Sequence, residues 1–213
     1  YDSEHCDGIY QDVLSGIATL ADNVFLVKKD ENGKFYAFFD NTQYEIEKEM
    51  VVPYLKLTKI KSNDDLNNID YMIYPYDCNK KIITEDIISK QFPLLYSYLL
   101  SVKEKLSQRD KGKTDKYESW YAYGRKQGLH NINTDKVINI PMMIGAECKP
   151  IRLDISTLIK TYGKIVFTSG YLIPEININI DYSHLLGKDF VDFAKENGKV
   201  WPGKNECYYS LTV

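Results

Sequence analysis

Arg109, Lys111, Lys113 and Lys116 stand at close intervals in one short stretch, and four rings follow them at Tyr117, Trp120, Tyr121 and Tyr123. The stretch ends in Gly124-Arg125-Lys126-Gln127-Gly128 and Leu129. Guanidinium and ammonium groups are cations with several donors and no acceptor, which suits the oxygens of a phosphate. An Arg and a Gln on a glycine-flanked turn can each present a bidentate edge, Arg to guanine and Gln to adenine. Between Ser101 and Lys126 eight Lys/Arg stand against four Asp/Glu, a local balance of +4 in a chain whose formal charge is -3. The rest of the chain reads as a scaffold that presents this segment.

The element that leads into the basic stretch is a helix predicted over Phe92–Arg109. Pro93 suits its first position, and Leu94, Leu95, Tyr98, Leu99, Val102 and Leu106 make an apolar stripe opposite Lys103, Glu104, Lys105 and Gln108. A shorter helix, Thr84–Lys90, precedes it with Thr84 as N-cap. Upstream, residues 9–30 read as strand, glycine turn and strand, the second strand over Val24–Val27. Asp30-Glu31-Asn32-Gly33 is a hairpin turn that returns the chain as Lys34–Phe39. Asp70–Tyr76 is a strand ended by Pro75, and Ser62–Asn68 is a polar loop. Downstream, strands are expected at Lys136–Met143, Ile151–Ile155, Lys164–Thr168 and Tyr171–Ile173, with Ser169-Gly170 turning between the last two. Ile176–Ile180 alternates, Asp181–Leu186 and Lys188–Asn197 read as helices, and Gly198 closes the second. Short strands and helices without βαβ regularity give an α+β fold.

Composition sets outer limits. With 213 residues and 44% hydrophobic residues the chain can bury a substantial core. A pI near 5.7 excludes a polypeptide that is basic throughout, but not one with a local basic patch. Tyr is in excess, at 18 residues, and suits half-buried strands as well as wet recognition surfaces. Cys6, Cys78, Cys148 and Cys207 are far apart and form no C-x-x-C pair, which points to reduced thiols and a cytoplasmic setting. His5, His130 and His184 make no base–nucleophile motif, and no metal site is expected. No apolar run is long enough for a membrane helix, so a membrane is not among the expected partners. A start at Tyr1 and a strand-like end over Cys207–Val213 suggest a piece of a longer polypeptide.

Arg109-Asp110-Lys111-Gly112-Lys113, spaced to Trp120-Tyr121-Ala122-Tyr123-Gly124-Arg125-Lys126-Gln127-Gly128-Leu129, resembles the TaqI-like C-terminal specificity domain. That domain is the target-recognition region of adenine-N6 DNA methyltransferases and of fused restriction–modification enzymes. Leu14–Phe25 is similar to its opening Gly-x-x-Thr strand and loop, here Gly16-Ile17-Ala18-Thr19, and Ser169-Gly170-Tyr171 with Leu185, Leu186 and Phe190 to its closing section. The resemblance implies one domain over residues 1–213 that grips double-stranded DNA and selects its sequence. A catalytic methyltransferase domain of the same polypeptide would carry S-adenosylmethionine and the Asn-Pro-Pro-Tyr motif. Val52-Pro53-Tyr54 and Tyr74-Pro75-Tyr76 lack the amide and the second proline, so this chain is expected to hold no cofactor and to be catalytically silent alone. A type I specificity subunit is a related context.

The expected DNA contacts follow from residue chemistry. Arg109, Lys111 and Lys113 suit phosphates, with Lys116 and Lys126 in the same basic set, and Arg125 and Gln127 suit base edges. Tyr117, Trp120 and Tyr121 either pack the loop down or touch the sugar–phosphate backbone. Gly16 and Thr19 complete the set, in a loop that is either a plain turn or a backbone that approaches a ligand closely. Two other classes compete. A Tyr-rich surface can bind a partner protein, and Asp40 with Glu45-x-Glu47-Lys48 loosely matches the acidic-x-Lys spacing of a metal-dependent nuclease.

Overall fold

The computed structural model describes residues 13–132, 134–145, 148–176, 181–202 and 207–210. The chain opens with β1 (Leu14–Ser15), α1 (Asp22–Phe25), β2 (Leu26–Lys29), β3 (Phe35–Phe39), β4 (Thr42–Ile46), β5 (Val51–Lys56) and β6 (Asp70–Ile73). Three helices follow: α2 (Glu85–Gln91), α3 (Pro93–Ser101) and α4 (Lys103–Ser107). After the basic segment come β7 (Lys136–Pro141), β8 (Ile151–Asp154), α5 (Ser156–Tyr162), β9 (Val166–Thr168), β10 (Gly170–Pro174) and α6 (Lys188–Asn197). The hairpin of β11 (Lys199–Pro202) and β12 (Cys207–Ser210) completes the described chain. Mixed sheets with separate helices make the fold α+β, and among the described residues none of the sheets closes into a barrel.

The chain divides into two compact units, each discontinuous in sequence. One, here the aromatic unit, comprises Ile17–Tyr54 and Asp70–Leu129. The other, the C-terminal unit, takes the residues up to Gly16, then Leu55–Ile69, then His130 onward.

In the aromatic unit the strand order β4-β3-β2-β6-β5 is antiparallel throughout. The expected hairpin forms between β2 and β3, with Gly33 at φ 82° and its N–H donating to the Asp30 carbonyl at 3.1 Å. The next turn, Asp40-Asn41, has both residues at positive φ, as a two-residue hairpin loop requires. Phe25, Phe35, Met72 and Ile73 are buried, as are Leu95, Tyr98 and Leu99 of α3, where the Tyr98 hydroxyl donates to the Val24 carbonyl at 2.6 Å. Glu47 caps α3 by accepting the Leu94 and Leu95 N–H groups at 2.8 Å each. That satisfies two donors that every helix start leaves open.

Two local departures from expectation have physical causes. The predicted Val24–Val27 strand begins later, at Leu26, because Thr19 and Asp22 organise a helical turn over Asp22–Phe25. The single predicted helix over 92–109 breaks at Val102, which leaves helical values (φ -101°, ψ 4°) while its side chain is fully buried. The chain resumes as α4, and a 3-10 turn then occupies Arg109–Gly112.

The C-terminal unit is built on the antiparallel sheet β1-β10-β7-β8. Leu57, Val137, Leu153, Phe167 and Leu172 anchor its main core. Gly170 opens β10 where a Cβ would lie 2.4 Å from the Ile140 carbonyl oxygen, so only glycine permits that approach. Ser169 before it turns at φ 62°. The expected polar loop at Ser62–Asn68 is a 3-10 helix over Asn63–Asn68, capped reciprocally by Ser62 and Asp65. An element absent from the sequence reading is α5, stopped by Gly163 in the left-handed region at φ 75°. The α6 bounds agree with expectation, and Leu185 with half-buried Leu186 and Phe190 packs on Ile138 and Ile173. The predicted helix at Asp181–Leu186 shortens to a 3-10 turn over Ser183–Leu185. The expected strand start at Ile9-Tyr10, most of Ile176–Ile180, His5 and Cys6 lie outside the described residues.

Candidate nucleic-acid interface

The basic segment separates into an inward and an outward set, both within the aromatic unit. Arg109 belongs to the inward set, only 5% exposed. Its Nε donates to the Leu106 carbonyl (3.0 Å), Nη1 to the Thr19 (3.1 Å) and Ala122 (2.7 Å) carbonyls, and Nη2 to the Trp120 carbonyl (2.8 Å). Its guanidinium carbon also lies 4.8 Å from the centre of the Tyr117 ring. One planar fork thus ties three pieces of chain: the end of α4, the 18–20 loop and the 120–123 strip. Burial lowers the guanidinium pKa, with Tyr117 and Tyr76 opposing, but a group of such high basicity keeps its proton. Arg109, expected at a phosphate, is therefore a brace, with its donors already committed to carbonyls.

The rings follow Arg109 inward. Tyr121 is 1% exposed and donates its hydroxyl to the Ile83 carbonyl at 2.5 Å. Tyr123 donates to the Ile73 carbonyl at 2.6 Å, accepts no exposure beyond 3%, and meets Phe25 and Tyr76 edge-on at 5.1 and 5.0 Å. Trp120 is half-buried, and its Nε1–H donates to Glu85 at 3.0 Å while the Lys103 ammonium lies 4.7 Å above its ring. Of the two roles open to Tyr117, Trp120 and Tyr121, packing the loop down is the one their contacts support. Burial pushes the Tyr74 phenol up to about 12, and it raises Tyr76, Tyr98 and Tyr123 as well.

Thr19 is fully buried, with its hydroxyl on Asp22 and its carbonyl shared by Arg109 and the Gly124 N–H (3.2 Å). Arg125 N–H donates to the Ala18 carbonyl at 2.9 Å, so a two-residue bridge joins the Gly-x-x-Thr loop to the strip carrying Arg125. Leu20, at φ 57°, lies over Gly124, where a Cβ would meet it at 2.5 Å. Gly16 is part of the C-terminal unit. Its close approach is to the Phe167 and Thr168 backbone, 2.8 and 2.9 Å from a Cβ placed there, rather than to a ligand. Neither Gly16 nor Thr19 is thus set out as a contact residue.

The outward set comprises Lys111, Lys113, Lys116, Arg125, Lys126 and Gln127, all exposed. Lys116 pairs with Asp110 and Lys126 with Glu118, in solvent-exposed ion pairs. Such pairs contribute little to stability and exchange readily for another anion. The Lys116 ammonium holds the Asp110 carboxyl below the usual carboxylate range, and Lys113 and Arg125 pull it the same way. Asp110, Lys111 and Gly112 follow one another in the left-handed region at φ 49°, 58° and 80°. For the two non-glycine residues this costs roughly 1–2 kcal/mol each. The turn sets Lys111 at its tip and returns the chain so that the Lys113 N–H reaches the Asp110 carbonyl at 3.2 Å. Sequence reasoning missed Asp110 and Glu118 as partners of the basic set. Their spacing from Lys116 and Lys126, six and eight residues in a loop, carries no periodic signal.

The carboxylates of the nuclease reading do not converge. Glu47 caps α3, Glu45 pairs with Lys34, and Asp40 forms the β3–β4 turn. Among the described residues no group of three His, Cys, Asp or Glu could hold a metal ion. His130 belongs to the C-terminal unit, with its Nε2 3.0 Å from the Ser15 carbonyl oxygen and its ring stacked on Phe167. Cys78 and Cys148 are free, and no helix among the described residues is long and apolar enough to cross a membrane.

Compared with protein-family profiles, the chain matches none. Among curated proteins it is similar to the type II restriction enzyme and methyltransferase RM.Eco57I of Escherichia coli, at 30% identity over 187 residues. The likeness takes in 80% of this chain and 18% of that protein, so the chain corresponds to less than a fifth of its relative's length. The chain is thus related in sequence to one segment of a restriction–modification enzyme.

Proposed function

We propose that the chain is the DNA target-recognition domain of a cytoplasmic restriction–modification enzyme, of the TaqI-like specificity type. It holds a double-stranded site for an adenine-N6 methyltransferase domain of the same polypeptide, which binds S-adenosylmethionine and flips the target adenine out of the duplex. By itself the chain carries out no methyl transfer. The observation that supports this most is the outward set: Lys111, Lys113 and Arg125 stand exposed beside Gln127 on a loop that Arg109 braces from within. Lys111 and Lys113 take phosphate oxygens, Lys116 and Lys126 follow once their ion pairs open, and Arg125 and Gln127 read base edges. The likeness to a restriction–modification enzyme supports DNA as the class of partner for this surface.

Titration of the chain with short duplex DNA at several salt concentrations tests the reading. Several phosphate contacts predict a linear fall of log affinity against log salt, with a slope of about -0.9 per contact. Affinity that does not vary with salt, or no duplex binding at low salt, contradicts it.

A further inference from the structure

Asp110 is an acid within the basic loop. Its carboxylate, with the side chain 37% exposed, is paired with the Lys116 ammonium. Its own carbonyl accepts the Lys113 N–H at 3.2 Å, and its neighbour Arg109 is tied to the strip that leads into Arg125. Lys113 and Arg125 both act on the same carboxylate. The backbone there is left-handed, at φ 49°. Asn tolerates that conformation as Asp does, because a short polar side chain can bond locally in either case. The turn geometry alone therefore does not call for a negative charge, and a negative charge at a phosphate-facing surface opposes binding.

We propose that Asp110 is an internal counter-anion: in the free protein its carboxylate holds the place among Lys113, Lys116 and Arg125 that a duplex phosphate takes on binding. It thereby limits affinity for DNA that offers only its backbone, and it leaves a larger share of the discrimination to Arg125 and Gln127. This rests on the duplex-binding reading above and adds a residue that sets specificity by suppressing non-specific contact.

Wild-type, Asp110→Asn and Asp115→Asn chains, titrated with a labelled random-sequence duplex across a salt series, test it. Asp115 is an exposed acid of the same loop, so its variant controls for the bare change of charge. Asp110→Asn is expected to bind about tenfold tighter at low salt, with a salt slope steeper by about one. Asp115→Asn is expected to gain less than about twofold, since an exposed charge that holds no cation in an ion pair among the described residues is largely screened. Thermal midpoints of the three chains should agree. Equal gains in both variants overturn the proposal, because Asp110 is then one more negative charge among others. Weaker binding by Asp110→Asn overturns it too, by making the Asp110–Lys116 pair a support for binding. If the wild type fails to bind duplex at all, the functional reading falls and this inference with it, an outcome distinct from failure of Asp110 alone.

Discussion

Arg109 and Arg125 lie sixteen positions apart in one basic stretch, yet the protein uses them in opposite ways. Arg109 is surrounded by carbonyls, at Thr19, Trp120 and Ala122; its guanidinium supplies the donor for the last two and a second donor for Thr19, which also accepts the Gly124 N–H. Arg125 has its backbone N–H bonded to Ala18 and its side chain exposed. The contrast extends to the rings, since Tyr121 and Tyr123 turn into the core while Lys111 and Lys113 turn out. A cation-rich stretch is thus two devices in one: a buried brace that fixes the loop, and a surface that the brace presents. The two should respond differently to mutation, one through stability and the other through binding.

The largest expected effect is on the brace. Arg109→Ala takes away the donor of the Trp120 and Ala122 carbonyls and the packing of the guanidinium on Tyr117, and should destabilise the fold by about 3 kcal/mol, read as a lower urea midpoint. Lys at 109 should recover little, because a single ammonium cannot span the four carbonyls. Tyr123→Phe keeps the ring but removes the bond to Ile73, and should cost about 1–2 kcal/mol in the same assay. A comparable loss of stability from Lys111→Ala would erase the distinction between the two sets.

Alkaline titration sharpens the contrast without mutation. The buried phenols of Tyr74, Tyr76, Tyr98 and Tyr123 have folded-state pKa values above the unfolded value of 10.0. Their stabilising share is complete below pH 10.0 and is lost as pH rises through the folded values, about 12 for Tyr74. The last share of the phenolate absorbance, from these four of the 18 tyrosines, should therefore appear together with loss of folded structure in that window. Ionisation of all 18 tyrosines before unfolding would show that these rings are not sealed.

Much of the scaffold was legible in the sequence because its signals are local. Asn32-Gly33 marks a hairpin that forms, Pro93 starts a helix where it stands, and α6 matches its predicted bounds. The misses came from tertiary packing. Val102 fits an unbroken apolar stripe, yet the helix breaks there with the side chain fully buried, and nothing local in the sequence marks the break. The division of the basic segment was equally hidden, because it depends on the 18–20 loop, some ninety residues away in sequence, turning the Thr19 carbonyl toward Arg109. Residue type at 109 and 125 is the same, so nothing local separates them. Helix α5 is the exception, since Gly163 was a stop signal in plain view.

On the outward side, replacing Lys111 and Lys113 together with Ala should leave the unfolding free energy, read from urea titration, within about 0.5 kcal/mol of wild type. Duplex affinity should fall for every sequence alike, with the salt slope reduced by about two. The smallest change in overall affinity, and the most informative, belongs to Arg125→Ala. Selecting bound duplexes from a randomised pool with the wild type, the Lys111/Lys113 double variant and Arg125→Ala measures sequence preference directly. The account predicts that the double variant keeps the wild-type preference, while Arg125→Ala loses discrimination at one base pair, worth about 1–3 kcal/mol. An unchanged preference in Arg125→Ala would contradict the claim that this exposed strip reads the DNA sequence.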